Sequence, residues 1–175
     1  AHSFYQVNHD SAEQLYHEAA RLAALKPQET LLDLYCGVGT IGLSMVQPEQ
    51  KLIGVEVVPS AVENAKENAR RAGVKDVEFL CADAGKASQI LAERGLRPDV
   101  VVLDPPRKGC DSATLEAVVH MAPSRIVMIS CNPATMARDA AVLREKGYTL
   151  QCYRPVDLFP RTAHCECVLL MIKTE

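Results

Sequence analysis

The sequence predicts an α/β fold, doubly wound around a mostly parallel seven-stranded sheet that finishes in an antiparallel C-terminal hairpin. Three observations predict it: seven short β-rich runs, helical punctuation between them, and a final link too short for a crossover helix. The runs cover 31–35, 52–57, 77–81, 100–103, 126–130, 148–154 and 165–172. Several are almost wholly apolar, as strands buried on both faces are. Ahead of the first run, Ser11 with Gln14 three positions on reads as a capping box for a helix through Leu25. A helical run over 41–46 follows the first strand, and Ser60 opens a second over 61–72 that Gly73 stops. Asn132-Pro133 combines a capping side chain with proline at the first helical position, and Gly147 closes that helix. This β–α alternation puts helices on both faces of the sheet. Residues 155–163 leave no room for a helix, so the last two strands pair antiparallel.

Length and composition bound the function. At 175 residues the chain suits one domain, 1–175, with no internal repeat or linker. Hydrophobic residues at 48% and charged residues at 23% exclude a disordered segment. No apolar run reaches the roughly 18 residues needed to cross a bilayer, so no membrane partner is expected. The chain starts at Ala1 inside a patterned stretch, which reads as the catalytic part of a longer protein. Nineteen basic against twenty-two acidic residues give a charge of −3. A domain that grips a nucleic-acid backbone unaided carries a basic excess. An RNA grip would therefore come from a local patch or from a domain outside this sequence. Seven cysteines with no C-x-x-C pair argue against a zinc site or a disulfide framework. They favour a reducing, cytoplasmic compartment, with most of the thiols as small core residues.

Ligands of such sheets settle at the carboxyl ends of the strands. The first strand runs into Asp33-Leu34-Tyr35-Cys36-Gly37-Val38-Gly39-Thr40, where Gly37 and Gly39 let the backbone approach a ligand and Gly42 allows tight helix–strand packing. The second strand ends in Glu56, whose carboxylate can accept from both hydroxyls of a ribose, and the third leads to Asp83, placed to reach an adenine amino group. No Walker lysine or Ser/Thr follows the glycines, which excludes a nucleoside triphosphate. Asp33 beside the loop disfavours a pyrophosphate and favours a cofactor with a cationic amino-acid end, S-adenosylmethionine rather than NAD.

The fourth strand runs into Asp104-Pro105-Pro106-Arg107, and two prolines force the chain out of the sheet there. The fifth ends in Ser130-Cys131-Asn132-Pro133, so Cys131 sits just before a helix N-terminus, a position that favours a thiolate nucleophile. Glu166 opens an otherwise apolar strand, where a carboxylate needs a partner or a task.

Together these blocks resemble the catalytic domain of RNA uridine-5-methyltransferases of the RumA/TrmA type. The matching stretches are Ser3-Phe4-Tyr5-Gln6-Val7-Asn8, the 32–40 loop, Gly54-Val55-Glu56, Asp104-Pro105-Pro106-Arg107-Lys108-Gly109, Ser130-Cys131-Asn132-Pro133-Ala134-Thr135 and the 159–166 stretch ending in His164-Cys165-Glu166. They follow the family's order across nearly the whole chain. The resemblance implies a class I, Rossmann-like S-adenosylmethionine-dependent methyltransferase. It implies cofactor binding by Gln6, Tyr35, Gly37, Gly39, Thr40, Glu56 and Asp104, with Asp83 near the adenine. Thr40 stands where some relatives carry Asn. Cys131 would be the nucleophile and Glu166 the proton acceptor; the chemistry also needs a donor near uracil O4, for which Arg107 is a candidate. Phe4 or Tyr5 would stack on the flipped base or a neighbour, or else pack in the core. The expected substrate is RNA, ribosomal in preference to transfer RNA, and no metal is expected within the domain. The family's RNA-binding domain has no counterpart in these residues. Two other readings stay open: an amino-methyltransferase using the Asp-Pro-Pro loop, which Arg107 in place of an aromatic residue disfavours, and a non-catalytic cofactor-binding module.

Overall fold

The computed structural model describes residues 9–157 and 165–174, with side chains from Ala12 onward. One sheet of seven strands organises them: β1 (Thr30–Leu34), β2 (Lys51–Glu56), β3 (Val77–Cys81), β4 (Val100–Leu103), β5 (Arg125–Ser130), β6 (Tyr148–Val156) and β7 (Glu166–Lys173). Their order across the sheet is β3-β2-β1-β4-β5-β7-β6. The first five run parallel, whereas β7 is antiparallel to both β5 and β6. The order reverses between β1 and β4, which opens a crevice at their carboxyl ends.

Among the described residues six helices cover the sheet: α1 (His9–Ala23), α2 (Thr40–Met45), α3 (Pro59–Ala72), α4 (Ala84–Glu93), α5 (Ser112–Met121) and α6 (Pro133–Glu145). The strands feed two cores by alternation. Leu31, Leu52, Val102, Val127, Ile129 and Val168 join Leu15, Ala19 and Ile41 on the face of α1–α3. Leu34, Val55, Leu103, Met128 and Leu169 meet Leu91, Leu115, Val118 and Met136 on the opposite face, under α4–α6. A carboxyl-end residue therefore faces α1–α3 when its number continues the first series.

Two predicted caps are corrected. Ser60 lies inside α3, because Pro59 at the first turn starts the helix earlier and extended Val58 takes the cap position without a side-chain bond. Ser11 lies within α1, which begins at His9 and ends at Ala23 rather than Leu25. Gly73 stops α3 as expected, with φ 73 and its N–H on the carbonyls of Ala69 and Arg70. Helices α4 and α5, each capped by an aspartate, Asp83 and Asp111, are additions to the sequence reading.

The cysteines also differ from expectation. Cys36, Cys110 and Cys167 are buried, but Cys131, Cys152 and Cys165 are partly exposed and Cys81 is exposed. Cys81 closes one edge strand, β3, and Cys152 lies on the other, β6, so each has a neighbouring strand on one side only. Among the described residues no helix is long and apolar enough to cross a membrane, and no group of three or more His, Cys, Asp or Glu is placed to hold a metal ion.

Candidate active site

The loop after β1 is shaped by three residues with positive φ: Tyr35 at 69°, Gly37 at 56° and Gly39 at 81°. Gly39 is the N-cap of α2, and a Cβ on it would come within 3.2–3.4 Å of Leu43, Ala65 and Phe79. Gly37 has nothing within 4 Å of such a position, so its backbone faces open space. Glu56 holds this loop to the tip of β2: its Oε2 accepts from the Gly37 N–H at 3.0 Å and its Oε1 from the Val58 N–H at 2.8 Å. Each oxygen keeps a lone pair for a further donor such as a ribose hydroxyl. Thr40 is exposed at the first position of α2. Asp83, also exposed, caps α4 through Lys86 N–H at 3.2 Å. Tyr35 is half-buried beside Thr114 and Cys110, and its phenol is pushed up chiefly by burial.

Sequence reasoning missed two contributors here. Asn68 on α3 donates through Nδ2 to the Val38 carbonyl at 3.0 Å, fixing the far side of the loop. Val57 and Val58, 62% and 47% exposed, leave an apolar step just past Glu56. An exposed valine pair at a strand end is a signal the sequence offered.

Asp33 corrects one expectation. It is wholly buried, and its Oδ2 accepts from the Gly42 N–H at 2.9 Å while Oδ1 has no partner. Burial, first, and then the charges of Asp104 and Glu56 raise its pKa to about 8. At neutral pH it is mostly protonated and faces α2. It is not an anion presented at the loop. Gly42 is required beside it, since a Cβ there would lie 2.8 Å from Asp33 Oδ2 and 2.9 Å from Leu52 Cδ1.

The second half of the site lies past β4, β5 and β7. Ser130 pairs with Cys167, so the next two residues outward are Cys131 and Glu166. Glu166 continues the series of Val168 and Leu170 and faces α1–α3. Burial raises its carboxyl above the usual range, and the Arg107 guanidinium opposes that rise. Asp104, next after β4, is raised to about 7 by burial and then by the charge of Glu166. These charge effects link Glu56, Asp33, Asp104 and Glu166 in a row along one side of the carboxyl edge. Arg107, exposed, is the cation that acts on this row at the Glu166 end.

Cys131 is partly exposed, between β5 and the N-cap of α6. Asn132 caps the helix by accepting from Ala134 N–H at 3.2 Å, and its Nδ2 donates to the Arg107 carbonyl at 3.0 Å. One side chain therefore ties the Cys131 segment to the Pro-Pro-Arg loop. Phe4 and Gln6 lie outside the described residues.

A reversed-order parallel sheet with a glycine loop, a strand-tip glutamate and an acid row at its carboxyl edge is the arrangement of a class I methyltransferase. The tRNA (uracil-5-)-methyltransferase family model matches residues 1–174. A protein called an uncharacterized RNA methyltransferase in Halalkalibacterium halodurans is 47% identical over 171 residues, covering 98% of this chain and 37% of that protein. A Bacillus cereus protein of the same description is 46% identical over 175 residues, all of this chain and 38% of its own. The crystal structure of Pyrococcus abyssi tRNA (uracil-54, C5)-methyltransferase in complex with S-adenosyl-L-homocysteine superposes with TM-score 0.83 and 30% identity, over 97% of this chain and 40% of that one. Precorrin-6y C5,15-methyltransferase from Geobacter metallireducens, at 15% identity and TM-score 0.75 over 91% of this chain and 88% of its own, shares the fold. The chain belongs to the tRNA (uracil-5-)-methyltransferase family. It spans 37–38% of the length of these two curated relatives.

Proposed function

We propose that this chain is the catalytic domain of an enzyme that transfers a methyl group from S-adenosylmethionine to C5 of a uridine in RNA, through a covalent bond between Cys131 and C6. The observation that carries the reading is the β5–β7 register, which makes Cys131 and Glu166 neighbours at the carboxyl edge.

The residues present fit the cofactor. Gly37 offers open backbone, Glu56 keeps acceptor capacity for a ribose, and Asp83 stands one strand further on. The acids of this edge other than the enclosed Asp33, namely Glu56, Asp104 and Glu166, suit a ligand with a positive sulfonium and ammonium, because an ionised carboxylate attracts both ions. When bound, S-adenosylmethionine supplies an electrophilic methyl group and leaves as the neutral thioether.

Uracil C5 is too weak a nucleophile to accept that methyl group unaided. Attack of the Cys131 thiolate on C6 forms an S–C bond and moves the ring electron pair onto O4 as an enolate, whose C5 is then nucleophilic. Arg107, next to Glu166 and exposed to an incoming base, supplies positive charge for that oxygen. After transfer C5 carries both the methyl group and its original proton. Glu166 removes the proton, the C5–C6 double bond re-forms, and the thiolate leaves. A carboxyl raised by burial is a better proton acceptor than an exposed one. A paired uracil is out of reach of this edge, so the target is flipped out or lies in a loop.

The family description and the Pyrococcus relative's name favour transfer RNA over the ribosomal RNA expected from sequence, so both substrates enter the test. Full-length protein is incubated with S-adenosylmethionine and 5-fluorouridine RNA, in which the base cannot remove fluorine from C5. Wild type is expected to form a stable protein–RNA adduct, and Cys131→Ser to form none while still binding cofactor. Adduct formation by Cys131→Ser overturns the assignment. On ordinary RNA, Glu166→Gln is expected to accumulate the methylated adduct, and unimpaired turnover removes Glu166 from its role.

A further inference from the structure

Asp139 lies in the second turn of α6 and is 1% exposed, a setting in which a carboxylate requires partners. Its partners belong to the loop after β4 or hold that loop. Oδ2 accepts from the Cys110 backbone N–H at 2.8 Å. Oδ1 accepts from Arg138 Nε at 2.9 Å and Nη2 at 2.7 Å. The same Nη2 donates to the carbonyls of Lys108, at 2.9 Å, and Cys110, at 3.3 Å. Gly109 between them takes φ +79, and a Cβ there would lie 2.5 Å from Arg138 Nη2 and 2.6 Å from Asp139 Oδ2. The guanidinium and carboxylate are thus packed directly on the loop backbone.

One turn earlier on α6, the Arg107 carbonyl accepts from Asn132 Nδ2 at 3.0 Å and from Thr135 Oγ1 at 3.3 Å. Residues 132, 135, 138 and 139 follow helical spacing, so one face of α6 grips loop residues 107, 108 and 110 in succession. The helix so employed is the one whose first turn follows Cys131. An ion pair placed merely to stabilise the surface would have no reason to direct its donors at two carbonyls of a second loop, those of Lys108 and Cys110. The Arg138 side chain is 54% exposed, so its removal opens no cavity in the core, although it leaves the buried Asp139 carboxylate with only the Cys110 N–H among the described residues.

We propose that Arg138 and Asp139 are positioning residues of the methyl-transfer reaction: they lock the Asp104–Cys110 loop onto α6, so that Asp104 and Arg107 keep their place relative to Cys131 and Glu166. The proposal rests on the function proposed above, and it assigns the pair no contact with substrate or cofactor.

The test uses full-length enzyme carrying Arg138→Ala, Arg138→Lys or Asp139→Asn, with kcat, the RNA KM, the S-adenosylmethionine Kd and thermal stability measured for each. Arg138→Ala is expected to lower kcat about tenfold or more, since small displacements of reacting groups are costly. The cofactor Kd is expected to stay within about twofold of wild type, and the midpoint of unfolding to fall, because Asp139 loses its cation, while staying above the assay temperature. Lysine retains a cation for Asp139 without the fork, and is expected to recover part of the lost kcat. Asp139→Asn keeps the acceptor for Cys110 and is expected to fall between the two. If that variant does not fold, the Arg138 pair decides. A wild-type kcat in Arg138→Ala overturns the proposal. So does a loss of kcat matched by an equal loss in cofactor affinity or by unfolding at the assay temperature, or a lysine variant no better than alanine. Wild type is run in parallel on 5-fluorouridine RNA. Wild-type adduct formation alongside an unaffected Arg138→Ala defeats the positioning role alone, whereas turnover without any Cys131 adduct defeats the parent reading and this one with it.

Discussion

Ser130 and Cys167 form the last pair of the antiparallel β5–β7 ladder, and this pairing brings Cys131 and Glu166 side by side at its open end. Parallel neighbours would not do the same work as simply, because β5 arrives at the carboxyl edge with Cys131 last whereas β7 departs from it with Glu166 first. The antiparallel strand thus brings the Glu166 carboxyl, from the opposite chain direction, to the edge where β5 ends beside Cys131, as the proposed reaction requires.

Arg107 is the cation that holds the Glu166 carboxyl down against burial, with Asp104 as the neighbouring acid. Replacing it by glutamine removes that opposition, so the Glu166 pKa rises further. A general base acts only when ionised, and kcat falls as pH drops through its pKa. Arg107→Gln is therefore expected to move the acid limb of the kcat profile to higher pH, besides lowering the plateau through loss of charge near the substrate. Arg107→Lys restores the charge and is expected to return the limb toward wild type. An acid limb unmoved in Arg107→Gln would separate Arg107 from the base.

Asp104, if it faces the bound sulfonium as proposed, is expected to make cofactor binding dependent on pH near neutrality. With its pKa at about 7, it changes from neutral to anionic as pH rises through that value. A ligand carrying a positive sulfonium prefers the ionised form. S-adenosylmethionine is expected to bind more tightly at pH 8 than at pH 6, releasing protons on binding near pH 7. S-adenosylhomocysteine, whose sulfur is neutral, is expected to show a weaker dependence. Calorimetry in buffers of different ionisation enthalpy reads the proton count. Equal pH dependence for the two ligands would detach Asp104 from the sulfonium.

Much of this geometry was legible in the chain, and the remainder was not, for physical reasons. Strands β3 and β4 fall where apolar runs bounded by turn residues put them, and Asn132-Pro133 and Gly73 mark α6 and α3 by chemistry that is local. Asp33 misled because a carboxylate beside a glycine loop reads as an exposed anion, and only the packing of α2 through Gly42 shows it enclosed. The sequence does not single out Arg138-Asp139, since the loop that covers Asp139 lies about thirty residues away and leaves no local signal. Cap residues failed where a proline or an earlier helical turn moved the boundary, as at Ser60. What a neighbouring segment buries is decided by tertiary packing, which a single sequence records only indirectly.

Asp33 makes the last prediction, on stability. Its folded pKa of about 8 stands well above the roughly 3.9 of an unfolded aspartate. Between those values Asp33 holds more protons in the native state than in the unfolded state, so its own contribution to stability is full below about pH 4 and is lost as pH rises toward 8. Asparagine keeps an acceptor for the Gly42 N–H but does not titrate. Its amide also fills the unpartnered Oδ1 position, a cost that does not change with pH. The difference in unfolding free energy between Asp33→Asn and wild type is therefore expected to shift in favour of the variant as pH rises from about 4 to about 8. Its slope approaches about 1.4 kcal/mol per pH unit and levels off above that range. Asp104, raised to about 7, adds a slope of the same sign in both proteins and drops out of the comparison except where the two acids interact. Denaturant unfolding at pH 5, 6, 7 and 8 measures the slope, and a constant difference across that series would show that Asp33 is ionised in the folded protein throughout.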